Sequence, residues 1–144
     1  MRTGYPQSLS KLLRAQPANA SQTYLRLADA EIIGFYTLVV SEMAYAYAPE
    51  RLTKGLARHP VPLMMLARLA VGVAWQNRGI GAGMLKDAIG RTLQVAEIVS
   101  IRALAAHAKD EDACAFYEYY GFVSSPTDPL HVFLFTKDLQ RLVC

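Results

Sequence analysis

Gln76, Gly79 and Gly81 stand in the spacing Gln-x-x-Gly-x-Gly, between an apolar run from Leu63 to Val73 and a helical pattern carrying Met84, Leu85, Ala88, Ile89 and Leu93. The chemistry of such a place is anion binding. A strand that feeds a glycine-opened helix presents unpaired backbone N–H groups at the positive end of the helix dipole, and a pyrophosphate is the commonest occupant. Gly79 and Gly81 carry no Cβ, so phosphate oxygens can approach the main chain. Arg78 can add a charge-assisted contact, or serve as an ordinary surface arginine. The three glycines run G-x-G-x-G, which is not the dinucleotide fingerprint, and no Lys-Ser or Lys-Thr pair follows to make a Walker loop. Two glycines at a turn also describe a plain strand–helix connection, so the spacing alone leaves both readings open.

A second stretch narrows them. Arg68-Leu-Ala-Val71 followed by Gln76-x-x-Gly79-x-Gly81 resembles the acyl-coenzyme A pyrophosphate loop of the GNAT superfamily of N-acetyltransferases, and Phe116-Tyr117-Glu-Tyr-Tyr-Gly121-Phe122 stands where that family carries F-Y-x-x-x-G-F. The resemblance implies an α/β (α+β) fold: a mixed, mostly antiparallel sheet with a splayed central strand and helices on both faces. It implies acetyl-CoA as acetyl donor, held by the main chain at Leu69 and Val71 and by the loop Gln76, Asn77, Arg78, Gly79, Ile80, Gly81 and Ala82. It also implies that Tyr117 is the general acid that protonates the departing thiolate, since a phenol of pKa ~10 stays protonated at neutral pH. From the helix pattern alone, Tyr117 reads as a core aromatic like its neighbours Phe116, Tyr119 and Tyr120.

A longer set of residues is similar to a narrower branch. Pro49 to Pro62, Arg68 to Val71 and Phe116 to Pro129 resemble GNAT toxins of bacterial toxin–antitoxin operons, with similarity from about Ala20 to Leu139. Members acetylate the α-amino group of aminoacyl-tRNA, usually act as homodimers and are neutralised by a ribbon-helix-helix antitoxin. The resemblance gives the basic stripe Arg51, Lys54 and Arg58 a use as tRNA phosphate contacts; by charge pattern alone it is a solvated helix face. Relatives open with an additional strand that this sequence is expected to lack, and Gly72 stands where an aspartate is common. The competing readings are acetylation of a small-molecule amine or a protein N-terminus, or a truncated, non-catalytic interaction module.

No carboxylate has a general-base position. Glu31, Glu42 and Glu118 read as surface charges, and His59 and His107 as lone histidines, more often packed or exposed than catalytic. That absence favours an acceptor such as an α-amine, whose pKa of about 7.7–8.0 leaves a useful neutral fraction.

The positioning elements follow from periodicity. A short helix is expected around Leu9, Leu12 and Leu13, a strand from Thr23 to Leu27, and its hairpin partner from Ile32 to Val40. Gly34 inside the second strand marks a bulge or the close approach of a ligand. Pro49 opens a short helix, Leu63 to Val73 is the central strand, and Glu97 to Ala106 is another, with Ile98, Val99 and Ile101 at its core. Asp110 or Glu111 opens a helix ending at Gly121, and His131 to Phe135 is the last strand. The 144 residues are expected to form a single domain (1–144), with 53 % hydrophobic and 19 % charged residues and a net charge of +3. Cys114 and Cys144 have no pairing or metal-ligand spacing, and neither a signal peptide nor a membrane helix is evident, so a reduced cytoplasmic protein is expected.

Overall fold

A computed structural model describes residues 21–43 and 60–138 of the chain. The expected N-terminal helix, the helix after Pro49, the basic stripe Arg51, Lys54 and Arg58, His59 and Cys144 all lie outside these residues, and the expected lack of an opening strand concerns residues before them. The described elements are β1 (Ser21–Ala28), β2 (Glu31–Met43), β3 (Val61–Val71), a 3-10 turn (Val73–Trp75), α1 (Ile80–Ala96), β4 (Ala103–His107), α2 (Glu111–Tyr119), β5 (Val123–Ser124) and β6 (His131–Phe135). The strands form a six-stranded sheet in the order β1-β2-β3-β4-β6-β5. The pairs β1–β2, β4–β6 and β5–β6 are antiparallel. Two compact units divide the described residues: 21–39 with 66–88, and 40–43 and 60–65 with 89–138.

In the first unit, β1 and β2 form the expected hairpin. Its two-residue turn places Asp29 at φ 55, a left-handed conformation that aspartate tolerates better than most residues. Arg26 pairs with Gly34 but Leu27 pairs with Ile32, leaving Ile33 as the extra residue of a bulge. The bulge turns Ile33 inward and leaves Ile32 57 % exposed, while Tyr36 and Leu38 continue the buried face at strand period two. Gly34 answers to close approach, but by protein. A Cβ there would lie 2.9 Å from the Ala70 carbonyl oxygen and 2.9 Å from Met84 Cε. Tyr36 stacks on Tyr24 and donates its hydroxyl hydrogen bond to the carboxylate of Asp87 on α1, tying helix to hairpin.

In the second unit, β4 and β6 are covered on both faces. Every residue of β6 is buried, as are Ala103 to Ala106. Register sets small against large: Ala103 opposes Phe135 and Ala105 opposes Phe133, and the four pack with Val61 and Leu63. Arg102 N–H donates to the Pro62 carbonyl, so the approach to β4 begins beside the start of β3.

The expected strand from Glu97 is corrected. β4 starts only at Ala103, and Ile98 and Val99 are 88 % and 47 % exposed. Both of their N–H groups donate to the Val95 carbonyl, closing α1, and so are not available to a sheet ladder. Of the three residues assigned to that core, only Ile101 is buried.

Candidate active site

The site is built from the end of β3 outward. Val61, Leu63, Met64 and Leu66 are buried, whereas Ala67, Arg68 and Ala70 are exposed and Leu69 and Val71 are half-buried. The strand thus stays extended after its side-chain cover ends. Gly72 N–H donates to the Ile33 carbonyl at 2.8 Å, and the chain then tightens into the 3-10 turn. A Cβ on Gly72 would meet only ordinary contacts, 3.5 Å to the Ile33 carbonyl oxygen and 3.8 Å to Trp75, so the position has room for a side chain.

Gln76 folds back on the strand, its side-chain Nε2 donating to the Val71 carbonyl at 3.0 Å. Its amide therefore braces the loop. Asn77 and Gly79 both adopt left-handed conformations, φ 64 and φ 81. Together they turn the chain so that α1 begins at Ile80, with Gly83 N–H donating to the Gly79 carbonyl. The N–H groups of Gly79, Ile80, Gly81 and Ala82 consequently precede the helical ladder. None of them has an acceptor among the described residues, and no acidic side chain stands in the first turn of α1 to neutralise the dipole. A Cβ at Gly79 would meet nothing within 4 Å, so the turn itself is uncrowded. The Arg78 guanidinium lies over the Trp75 ring, 4.9 Å from its centroid, rather than over the open N–H groups. Arrangement and charge suit a phosphate-bearing ligand.

Tyr117 belongs to the second unit, on α2. Asp110 caps this helix, accepting from Ala113 N–H at 2.8 Å, as expected. At the other end Phe122 N–H donates to the Tyr117 carbonyl and Gly121 N–H to that of Glu118, with Gly121 at φ 98. This is a Schellman closure, and the Tyr117 and Phe122 rings supply its apolar contact at 5.1 Å between centroids. The spacing of Tyr117, Gly121 and Phe122 is therefore a helix-ending device that also fixes the phenol in place. Tyr117 is buried, Tyr120 half-buried and Tyr119 82 % exposed. Burial pushes the Tyr117 phenol up to about 12, so it is fully protonated at neutral pH. Glu31, Glu42 and Glu118 are exposed, as expected of surface charges.

The acetyltransferase (GNAT) domain family matches residues 19–124. The chain belongs to the GNAT acetyltransferase family. Among GNAT relatives, a tRNA-acetylating toxin of Mycobacterium tuberculosis is 42 % identical over 123 residues, 85 % of this chain and 74 % of that protein. The structure of AtaT complexed with acetyl-methionyl-tRNAfMet superposes with a TM-score of 0.76 at 25 % identity, covering 87 % of this chain and 76 % of that one. A mutant AtaT toxin bound to the C-terminus of the antitoxin AtaR and acetyl-CoA superposes with a TM-score of 0.68 at 25 % identity, over 92 % of this chain and 72 % of that one. No helix among the described residues is long and apolar enough to cross a membrane.

The sequence missed three features of this unit: the left-handed Asn77, the Trp75–Arg78 contact and the Tyr36–Asp87 bond. Asn two residues before a glycine was a usable signal for the first. The other two depend on tertiary placement and left no local trace.

Proposed function

We propose that this GNAT acetyltransferase moves acetyl from acetyl-CoA to the α-amino group of aminoacyl-tRNA and so acts as the toxin of a toxin–antitoxin pair. The observation that carries the acceptor is the 42 % identity, over most of both chains, to a tRNA-acetylating toxin. The donor side rests on this chain's own geometry: a partly exposed strand end leading to a helix start where the N–H groups of Gly79, Ile80, Gly81 and Ala82 have no acceptor among the described residues and the first turn carries no acidic residue.

In this reading the main chain at Leu69 and Val71 pairs with the pantetheine amides, and an amide there polarises the thioester carbonyl. Residues Asn77 to Ala82 hold the pyrophosphate, with Gln76 bracing the loop and Arg78 swinging from Trp75 to add charge. When bound, acetyl-CoA supplies the acetyl group as a thioester: the amine's C–N bond forms, the C–S bond breaks, and the proton lost by nitrogen equals the one gained by sulfur. Tyr117 hydrogen-bonds the sulfur as charge develops. Raised to about 12, it is a weaker acid than an alkyl thiol, so it relays the proton and ends the turnover as the neutral phenol. Arg51, Lys54 and Arg58 contact tRNA phosphates. A single catalytic domain over residues 1–144 belongs to the same proposal, with the family match over residues 19–124 as its support. Neutralisation by a ribbon-helix-helix antitoxin, a homodimer and a cytoplasmic location belong to the same proposal.

The test is a cell-free translation reaction given the protein and acetyl-CoA, with mass analysis of the recovered aminoacyl-tRNA. Arrested translation with acetylated α-amines is expected. Unaffected translation, alongside turnover of a polyamine or a peptide N-terminus, would overturn the tRNA reading and leave the acetyltransferase in place.

A further inference from the structure

The second unit gathers three side chains that the acetyl-transfer chemistry does not use. His107 ends β4 and His131 begins β6, and the two are direct cross-strand partners with ring centroids 4.1 Å apart. Asp128, in the turn before β6, places Oδ2 3.3 Å from His107 Nε2. One nitrogen of each ring and one oxygen of the carboxylate lie within 4.8 Å of one another. His131 is only 8 % exposed, and its Nε2 is buried with no hydrogen-bond partner among the described residues. A buried polar atom left without a hydrogen bond is costly to the fold, and it is available to a ligand.

We propose that His107, Asp128 and His131 form a binding site for a divalent transition-metal ion of the zinc class. Two imidazoles and a carboxylate are nitrogen and oxygen donors of the kind zinc takes, whereas magnesium and calcium prefer all-oxygen shells. Leu130 N–H donates to Asp128 Oδ1 at 3.1 Å, leaving Oδ2 to face His107. That N–H orients the carboxylate as outer-shell donors do around metals.

Tetrahedral zinc with bonds of about 2.0–2.2 Å brings donors to roughly 3.3–3.5 Å from each other. The required contraction falls on His107 and Asp128, whose side chains are 60 % and 49 % exposed, while the buried His131 stays fixed. A bound ion would pin the turn between β5 and β6 to the end of β4. The role is structural, and its readout is independent of acetyl transfer.

The experiment uses the full chain, freed of any histidine tag and stripped with a chelator, titrated with zinc by calorimetry and followed by thermal melting. Saturable binding of about one ion per chain and a rise in melting temperature are expected, because a ligand of the folded state stabilises it. His107→Ala and Asp128→Asn, both at exposed side chains, should each weaken zinc by at least about tenfold, the lower end of what outer-shell changes alone produce. His59→Ala and Cys114→Ser should leave it unchanged. Absence of saturable binding at micromolar zinc, or binding that survives both His107→Ala and Asp128→Asn, overturns the site.

Discussion

The two halves of β3 are similar in composition and opposite in fate. Val61 to Leu66 is almost wholly buried in apolar surroundings, while Ala67 to Val71 remains extended with its cover removed. The first half stabilises; the second keeps side chains half or more exposed, and it leads into the turn whose N–H groups have no acceptor among the described residues. An apolar run therefore does two jobs in sequence, and the changeover marks where packing yields to binding. The same division recurs on α2, where Tyr117 is buried and Tyr119 is 82 % exposed only two residues away.

The tyrosine contrast should give the largest effect. Tyr117→Phe keeps the ring that packs on Phe122, so the fold and the affinity for acetyl-CoA should be nearly unchanged. Turnover should fall by roughly 10²–10⁴-fold, the usual worth of a general acid–base group, with kcat lowered and KM little altered. Tyr119→Phe should match the parent in the same assay. Equal activity of the Tyr117→Phe protein would return this residue to packing alone.

Truncating each half of β3 sharpens the strand contrast. Leu63→Ala removes a fully buried side chain and should cost about 2–5 kcal/mol in urea unfolding. Leu69→Ala in the open half should cost less than about 1 kcal/mol, as expected of half-exposed positions. Comparable losses would mean that the two halves are packed alike.

Gly79→Val tests the loop. A β-branched residue at φ 81 is strained although its side chain would meet no neighbour. Turning the chain away would misalign at least one or two charge-assisted hydrogen bonds, so acetyl-CoA should bind on the order of 100-fold more weakly by calorimetry. The melting temperature should fall by roughly 2–12 °C, since the strain is of order 1–3 kcal/mol.

The smallest effect is in alkali. Tyr117 has its folded pKa raised by burial from the ordinary 10.0 to about 12, so its contribution to stability is complete below pH 10 and is lost as pH rises towards 12. At pH 11 that loss is about 1.4 kcal/mol relative to neutral pH. Urea midpoints at pH 8 and pH 11 should diverge by that much more in the parent than in Tyr117→Phe. An identical alkaline loss in both would show that the phenol is not desolvated.

Much of this was present in local sequence because the determinants are themselves local. Gly121 ends α2 and Asp110 begins it, as read from residue type, since a left-handed C′ residue and a side-chain cap act within one helical turn. The hairpin, the last strand and the Gly79 opening of α1 came from alternation and glycine placement for the same reason. Tertiary structure decided the rest. Ile98 and Val99 have strand-forming side chains, yet the end of α1 engages their N–H groups, and propensity gives way to hydrogen bonding. Gly34 is required by Ala70 and Met84, residues remote in sequence. His107 looked solitary until β4–β6 register set it against His131, because which distant residues share a rung depends on strand pairing and burial, not on composition.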